Sequence, residues 1–411
     1  MSVTIEEARA LDAADPLRHL RDRFMLPEGI VYLDGNSLGM LPAETVRHQQ
    51  EVVLNQWGTS LIRSWNDHGW IEAPQRIGAR IARLIGAKPH EVIVADSVTV
   101  NLFKLITAAT RLSPERPVLL SEAGNFHTDL HVASGAVEAV PNMRLEIVAR
   151  RLIEETVGPE TNLLLLTHVH YKSAARFDMA AVTAHAKAAG ARTIWDLSHS
   201  AGAVPLHLNR DGAEFAVGCG YKYLNGGPGA PAFLYVAEHL QEELSPMLRG
   251  WMGHAAPFDF TDHYVPAPGI ARFLAGTPPM LSMAALECGI RSFDGVDMDA
   301  LWEKSVALFD LFARLVEERC SGHFLECITA PEAELRGSHI SYRHPHAFEL
   351  CQALIAAGVI GDFRAPDVVR FGITPLYLRY EDIWMAVDRL AAILAAESWR
   401  EPRFALRGKV T

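Results

Sequence analysis

The feature that most constrains this chain is the alternation of short apolar runs with helical stretches through its middle. Several runs are apolar on both alternations, which is typical of strands covered on both faces of a sheet. Ile77, Ile81 and Leu84 mark one face of a helix, and residues 179–189 form another that Gly190 closes. The runs lie at residues 92–95, 118–121, 145–148, 163–167, 193–197 and 233–236. Repetition of strand, helix and strand predicts an α/β fold with a mostly parallel sheet.

The pattern changes after about residue 280. Two amphipathic helices and two strands are predicted there, at residues 301–318, 383–394, 339–342 and 368–373. The Pro- and Gly-rich stretch 265–279 is the expected linker between the α/β region and this C-terminal region. We therefore expect three parts, which are an N-terminal arm over residues 1–45 packing with the small domain, a large α/β domain over 46–279, and a small C-terminal α+β domain over 280–411.

Charge and hydropathy exclude two classes of partner. Lys plus Arg total 38 and Asp plus Glu total 49, so the net charge is −11. Such a chain has no excess of cations to neutralise nucleic-acid phosphates or to bind an anionic membrane surface. No run reaches the roughly 18 apolar residues of a membrane span, and residues 1–23 lack the apolar core of a secretory signal. We expect no nucleic acid and no membrane as partners.

Cysteines and histidines bear on the cellular compartment and on metal binding. The five cysteines are scattered and show no CxxC spacing, which indicates reduced thiols and a cytoplasmic protein. Two His-X-His pairs occur, His168-Val-His170 and His344-Pro-His346, but neither has a third ligand at a convincing spacing. We therefore predict no metal site.

Lys222 and Asp196 are the strongest candidates for chemistry. Lys222 lies between two tyrosines, directly before a Gly- and Pro-rich turn, where a poorly solvated amine would become a nucleophile. Taken alone, a surface lysine packing past the two rings is the more ordinary interpretation. Asp196 ends a predicted strand, where α/β sheets place ligands, although a helix N-cap is an alternative. Pyridoxal phosphate (PLP) enzymes need this pairing, since the lysine holds the aldehyde and the carboxylate keeps the pyridine nitrogen protonated.

Two segments that follow predicted strands would complete such a site. A helix expected to start near Val100 offers backbone N–H groups and the Thr99 hydroxyl as a phosphate cradle. The segment Asn125-Phe-His-Thr-Asp129 offers a ring to stack on a flat cofactor and a carboxylate nearby. Each is weak alone, because many strand–turn–helix units look the same.

Together these four pieces resemble the large domain of fold-type I PLP enzymes, and further motifs resemble the kynureninase family. The matching segments run in order from about residue 30 to residue 395, and the ordered set is specific although no single member is. They are Leu33-Asp-Gly-Asn-Ser-Leu-Gly39, Ser64-Trp-Asn-Asp-His-Gly-Trp70, Asp96-Ser-Val-Thr-Val-Asn-Leu-Phe103, Trp195-Asp-Leu-Ser-His199, Tyr221-Lys-Tyr-Leu-Asn-Gly-Gly227, Gly250-Trp-Met-Gly253, Phe273-Leu-Ala-Gly-Thr-Pro-Pro279 and Arg370-Phe-Gly-Ile-Thr-Pro-Leu-Tyr377. The resemblance implies an aminotransferase class V-like fold with a mostly parallel seven-stranded sheet, and PLP as cofactor.

The resemblance also implies roles for individual residues. Lys222 would bond the cofactor and move the substrate Cα proton, Asp196 would pair with the pyridinium, and Tyr221 is the candidate proton donor to Cβ. Cofactor contacts are implied for Val98, Thr99, Phe126, Asp129, Thr167, Asp196, His199, Tyr221 and Lys222, with Trp251 and Thr277 reaching across from a second copy in a homodimer with shared active sites. Substrate contacts are implied for Ser37, Trp65, Thr277 and Arg370, the last as a bidentate clamp on the α-carboxylate.

The implied reaction is hydrolytic Cβ–Cγ cleavage of L-kynurenine to anthranilate and L-alanine, in tryptophan catabolism. 3-Hydroxykynurenine would be a poorer substrate, because Trp65 and Thr277 offer few acceptors for an added hydroxyl. The chain departs from the family pattern at His127 and at His170-Tyr-Lys172, where Pro and Asn-Tyr-Arg are usual. These departures bear on the substrate more than on the cofactor.

Two alternatives stay open. One is a related class V PLP lyase, such as a cysteine desulfurase or selenocysteine lyase, which needs a catalytic cysteine on a mobile loop. Cys320, Cys327 and Cys351 lie in the C-terminal half, where such a cysteine is expected. Cys320 and Cys351 lie in predicted helices and are interpreted as structural, and no Gly-rich loop surrounds Cys327. The other is a non-catalytic sensor that binds PLP or a metabolite, against which the intact Lys222, Asp196 and Arg370 argue.

Overall fold

The computed structural model describes residues 3–408. Its strands, in chain order, are β1 (Val31–Tyr32), β2 (Val92–Val94), β3 (Val118–Glu122), β4 (Arg144–Val148), β5 (Thr161–Thr167), β6 (Arg192–Asp196), β7 (Phe215–Cys219), β8 (Ala232–Val236), β9 (Glu326–Cys327), β10 (His339–Arg343), β11 (Val359–Ile360), β12 (Asp362–Arg364) and β13 (Val368–Gly372). Its α-helices are α1 (Ile5–Ala14), α2 (Glu44–Glu51), α3 (Ser64–Asp67), α4 (Ala73–Leu84), α5 (Val98–Ala109), α6 (His127–Glu138), α7 (Ile153–Thr156), α8 (Met179–Ala188), α9 (Met280–Arg291), α10 (Met298–Arg319), α11 (Ala347–Ala356) and α12 (Tyr380–Ala395).

The large sheet has seven strands in the order β2-β8-β7-β6-β5-β3-β4. The strands from β7 through to β4 are parallel, and β8 runs antiparallel to both β7 and β2. The predicted mostly parallel α/β sheet is therefore confirmed. β7 was not among the predicted strands, and it is the strand that leads to Lys222.

The two faces of the large sheet are packed by two separate apolar cores. On β5 every residue is buried, with Leu164 and Leu166 in one core and Leu163 and Leu165 in the other. This alternation explains why the strand is a continuous apolar run in the sequence.

The helices that begin near the site are started by N-cap side chains. Asp178 caps α8, and Ser97 caps α5, which begins at Val98 rather than near Val100.

A smaller antiparallel sheet, in the order β12-β13-β10-β9, lies in the C-terminal part of the chain. The N-terminal segment is attached to this part. β1 pairs in parallel with β11, and the Asp12 carboxylate accepts hydrogen bonds from the first backbone N–H groups of α12. Helix α9 packs on α2 and α4. The predicted division into arm (1–45), large domain (46–279) and small domain (280–411) stays a prediction. Because of these contacts of α9, we propose to place the last boundary after α9.

Within residues 3–408, no helix combines the length and hydropathy that crossing a bilayer requires. In the same range, no three side chains of His, Cys, Asp or Glu are grouped as metal ligands.

Candidate active site

The carboxyl ends of β5, β6 and β7 and the starts of α5 and α6 surround one cavity of about 250 Å³. Ligands of α/β sheets bind at this edge. The lining includes every cofactor contact predicted from within one chain, namely Val98, Thr99, Phe126, Asp129, Thr167, Asp196, His199, Tyr221 and Lys222. It also includes Ser97, Thr128, Tyr171, Ser198 and Cys219, which the sequence analysis did not select. Of these, Ser97 carries a sequence signal, since a serine directly before a helix is the usual N-cap.

The Lys222 amine is held deep in this cavity. The side chain is buried, and its Nζ lies 2.9 Å from Nε2 of His199 and 5.6 Å from the centre of the Phe126 ring. Burial, and after it the charge of Lys222, hold the pKa of His199 well below its usual range. A neutral imidazole can accept a hydrogen bond from the amine, so His199 is placed to orient Lys222.

Two carboxyl groups in the lining of the cavity, Asp129 and Asp196, meet each other. Asp196 accepts a hydrogen bond from the backbone N–H of Ser198 at 2.7 Å, and Asp129 Oδ2 lies 3.2 Å from the Thr167 hydroxyl. Burial, and after it the charge of Asp196, raise the pKa of Asp129 well above its ordinary value. The protonated form of Asp129 is therefore favoured, because two like charges in contact are unfavourable in a buried site.

The start of α5 also lines the cavity. Ser97 accepts a hydrogen bond from the Val100 N–H, which leaves the backbone N–H groups of Val98 and Thr99 without intrahelical partners. The preceding Asp96 has a φ of 46°, and the buried Lys104 pairs with its carboxylate while donating to the Phe273 carbonyl at 2.6 Å. Lys104 thus fixes the turn that aims these N–H groups at the cavity.

Ser37 and Arg370 lie together beside the cavity and not in its lining. The Arg370 Nη2 lies 2.9 Å from Ser37 Oγ, its Nε lies 2.9 Å from the Asp362 carboxylate, and its Nη1 donates to the backbone carbonyl of Tyr171. Although burial alone would raise the pKa of Asp362, Arg370 holds it well below its usual range. Burial, and after it the charge of Asp362, raise the pKa of Asp34 to about 7.

Three predicted residues do not reach the cavity of this chain. Trp65 contacts Trp70 with ring centres 5.9 Å apart, Trp251 is 39% exposed, and Thr277 is exposed. None of them lines the cavity. For Trp251 and Thr277 the expected site is that of a second copy, and their roles stay predictions.

Comparison with known proteins gives the family. A family model described as the kynureninase C-terminal domain matches residues 301–390. The kynureninase of Burkholderia mallei is 48% identical over 414 residues, which cover 99% of this chain and 100% of that protein. The kynureninase of Pseudomonas fluorescens is 46% identical over 415 residues, with the same coverage. The chain belongs to the kynureninase family.

The fold of this kynureninase-family chain is shared more widely. The apo structure of a cysteine desulfurase from Thermococcus onnurineus aligns with a TM-score of 0.77 at 18% identity, covering 92% of this chain and 98% of that one. At this level of identity the likeness shows the fold alone, so the residues of the site have to separate the two chemistries.

The cysteines of this kynureninase-family site do not favour a desulfurase. Neither Cys320, Cys327 nor Cys351 lines the cavity. Cys219 does, but its sulfur is buried 3.9 Å from the Ser198 carbonyl, and burial raises the pKa of its thiol. A buried thiol of raised pKa is a poor nucleophile.

Two of the departures from the kynureninase-family pattern, His170 and Lys172, contact backbone carbonyl groups, and the third, His127, contacts an aromatic ring. His170 Nε2 lies 2.8 Å from the Gly124 carbonyl, and Lys172 Nζ donates to the Ala365 carbonyl at 2.7 Å. His127 packs against Phe126 with ring centres 4.5 Å apart. Of the three, Lys172 connects the rim of the cavity to the segment that follows β12.

Gly39 provides a test of how the N-terminal arm supports Lys222. A Cβ at Gly39 would lie 2.3 Å from the Lys222 carbonyl oxygen and 2.6 Å from Asn225 Cα, both of them backbone atoms that cannot yield. We expect Gly39→Ala to destabilise the fold by about 1–3 kcal/mol and to lower turnover by displacing Lys222. Thermal unfolding and turnover measure the two effects.

The matched control is Gly135→Ala. Nothing lies within 4 Å of a Cβ at Gly135, which is within α6, so alanine should leave stability unchanged or raise it. Equal stability of the Gly39→Ala and wild-type proteins would contradict the close approach of the arm to Lys222.

Proposed function

We propose that this chain cleaves L-kynurenine hydrolytically between Cβ and Cγ, giving anthranilate and L-alanine, with PLP as cofactor. The observation that carries the proposal is the meeting of Lys222 and Asp196 in one cavity, in a chain 48% identical to a kynureninase over its full length. We also propose, as the sequence predicts, that the protein acts in tryptophan catabolism and is cytoplasmic. Five unpaired cysteines support a reducing compartment.

The residues present fit PLP at each of its groups. The unpartnered N–H groups at the start of α5 suit a phosphate. The Asp196 carboxylate suits a protonated pyridine nitrogen, and the Phe126 ring suits stacking on a flat ring. The Lys222 amine suits the aldehyde. A protonated Asp129 beside Asp196 leaves one negative charge for the one positive charge of the pyridinium.

PLP, when bound, withdraws the electron pair that is released at the substrate Cα. Lys222 Nζ is proposed to carry the Cα proton, with His199 keeping the amine in place. Water adds to the γ-carbonyl, the Cβ–Cγ bond breaks, and the oxygen of that water leaves in the carboxylate of anthranilate. The electron pair stays on Cβ, which takes a proton from the Tyr221 hydroxyl. Burial raises the pKa of Tyr221, so the phenol keeps its proton at neutral pH until it is needed.

Ser37 and Arg370 are proposed to form the site for the substrate's α-carboxylate, and Trp65 and Thr277 to line the pocket for its aryl ring. These side chains favour kynurenine over 3-hydroxykynurenine. The Trp65 indole and the single Thr277 hydroxyl provide few hydrogen-bond acceptors for the additional hydroxyl group of the substrate. Substrate competition between the two compounds measures this preference.

The functional unit is proposed to be a homodimer in which Trp251 and Thr277 serve the partner's site. Large apolar side chains are exposed near these residues and on the segment after α2. They include Leu54, Trp57, Ile62, Phe258 and Phe260, with exposed fractions between 55% and 81%. A surface of this kind is typical of contacts between copies of a chain.

Mixing two impaired variants tests the shared site. Lys222→Ala and the double variant Trp251→Ala, Thr277→Ala are each expected to be weak alone. After subunit exchange, about one quarter of wild-type activity should return, since half of the dimers are mixed and each of those has one intact site. Activity that stays at the average of the two variants would contradict sharing between subunits.

The reaction itself is tested by offering two substrates to the PLP-loaded protein. With L-kynurenine we expect anthranilate fluorescence and alanine, and with L-cysteine no sulfide. Sulfide and alanine from cysteine, with no anthranilate from kynurenine, would instead establish the class V lyase alternative. Binding of PLP with neither product would establish the sensor.

A further inference from the structure

We propose that His339, on β10, is a positioning residue for Lys222. Its ring accepts the hydrogen of the His199 ring, directly or through one water, and so holds His199 in the orientation that accepts from the Lys222 amine. The inference rests on the proposed function, because this amine is the group proposed to carry the substrate's Cα proton. It assigns a purpose to a fully buried histidine that does not itself line the cavity.

The contact with Lys222 decides which nitrogen of His199 carries a hydrogen. Nε2 of His199 lies 2.9 Å from the Lys222 amine, and a nitrogen that accepts from the amine carries no hydrogen of its own. The ring is neutral, because burial and the charge of Lys222 hold its pKa well below the usual range. A neutral imidazole has one N–H group, so the hydrogen of His199 is on Nδ1.

This N–H group needs an acceptor. Within residues 3–408, Nδ1 of His199 is buried and has no hydrogen-bond partner. A buried donor that stays unpaired destabilises the arrangement that holds it. Three charged side chains that act on the ring have donors only, and they are Lys222, Arg364 and Arg370. His339 also acts on the ring, and an imidazole can accept.

His339 has the acceptor that His199 needs. The centres of the two rings are 5.6 Å apart, and their planes are tilted by 57°. In the described part of the chain, neither nitrogen of the His339 ring has a hydrogen-bond partner. Burial, and after it the charge of Arg370, hold the pKa of His339 well below the usual range, so this ring is neutral and has one nitrogen without a hydrogen. A hydrogen bond between the rings therefore satisfies a donor and an acceptor that are both unpaired.

The backbone keeps His339 next to the segment that presents the amine. His339 pairs with Gly372 of β13, so its strand is held within the small sheet. The Tyr223 hydroxyl donates to the Ser338 carbonyl at 2.6 Å. The residue after Lys222 is thus bonded to the residue before His339. This bond places the His339 ring independently of the proposed contact.

The test compares methionine and glutamine at position 339, because the two side chains are similar in size and only glutamine has a strong acceptor. PLP is added to the apoprotein, and the absorption of lysine-bound PLP is followed with time. We expect His339→Met to form this band about 3- to 10-fold more slowly than the wild type, as for the loss of one hydrogen bond. His339→Gln should recover most of the wild-type rate.

The matched control is His344→Met. His344 is a buried histidine that follows β10 and packs against Trp399, so its loss removes a ring of the same size from the same part of the chain. The control should form the band at the wild-type rate. Thermal unfolding of each variant measures its stability, and His339→Leu takes the place of His339→Met if methionine prevents folding.

Turnover of L-kynurenine with deuterium at Cα separates positioning from a loss of stability. A misplaced amine slows the transfer of the Cα proton, so His339→Met should lower kcat, leave KM unchanged and increase the isotope effect. A protein that is only less stable has fewer active molecules and keeps the wild-type isotope effect. In the His199→Met background, His339→Met should cause no further loss, because its effect passes through His199.

The reaction with PLP needs no kynurenine, so it tests this inference even if the proposed function fails. Failure of the proposed function would appear as no cleavage of kynurenine by the wild type. Three results would overturn the role of His339. They are a wild-type rate of band formation in His339→Met, equal rates in His339→Met and His339→Gln, and a further loss when His339→Met is added to His199→Met.

Discussion

Replacing Lys222 with alanine is expected to lower kynurenine turnover by about 10³-fold or more, the upper part of the range for a positioned proton-transfer group. The amine has no substitute in the cavity, because His199 is neutral, Lys104 is tied to Asp96 and the Phe273 carbonyl, and Lys172 donates to the Ala365 carbonyl. The absorption band of lysine-bound PLP should disappear in the same variant. Steady-state kinetics and an absorption spectrum of the PLP-loaded protein measure the two effects.

Lys187→Ala is the control for this experiment. Lys187 is exposed near the end of α8, so its loss should change neither the spectrum nor the rate. If the Lys222→Ala protein keeps the absorption band, another amine holds the cofactor and the site described here is wrong.

The second large effect is expected at Asp196. Asp196→Asn removes the charge that would face the pyridinium, and breaking one side of a buried charge pair costs about 2–5 kcal/mol. The affinity for PLP should therefore fall by about 30-fold or more, and turnover should fall with it. Titration of the apoprotein with PLP measures the affinity.

Asp129→Asn is the matched variant next to it. Because burial and the charge of Asp196 favour the protonated form of Asp129, an amide of the same shape should change little, and we expect a cost of about 1 kcal/mol or less in PLP binding. Equal losses in the two variants would contradict the assignment of the proton to Asp129, and a larger loss at Asp129 would exchange the roles of the two carboxyl groups.

Local pattern was enough to predict the elements that carry the cofactor site. The strands that end at Asp196 and Thr167 are apolar on both faces, and the helix after Asp96 follows directly on a strand. The position of each of these site residues could therefore be predicted from the residues adjacent to it in the sequence. β7 was missed because Gly218 interrupts its apolar run.

Contacts between distant parts of the chain could not be predicted in the same way. Ser37 and Arg370 were selected separately, each from its own motif. Neither motif shows that the Arg370 guanidinium binds the Asp362 carboxylate as well as the Ser37 hydroxyl. The raised pKa of Asp129 depends on how close the start of α6 brings it to Asp196 at the end of β6, and it is a property of burial that spacing along the chain does not reveal. The need for glycine at position 39 depends likewise on the Lys222 backbone, far away in sequence.

Hydrolytic cleavage is the central claim, and the origin of the oxygen in the product tests it most directly. The PLP-loaded protein is given L-kynurenine in water enriched in oxygen-18. Mass spectrometry then measures the amount of each product and its oxygen-18 content. We expect anthranilate and alanine in equal amounts, with one oxygen from water in the anthranilate carboxylate and none in alanine. Unlabelled anthranilate, unequal amounts of the two products, or a keto acid in place of alanine would contradict it.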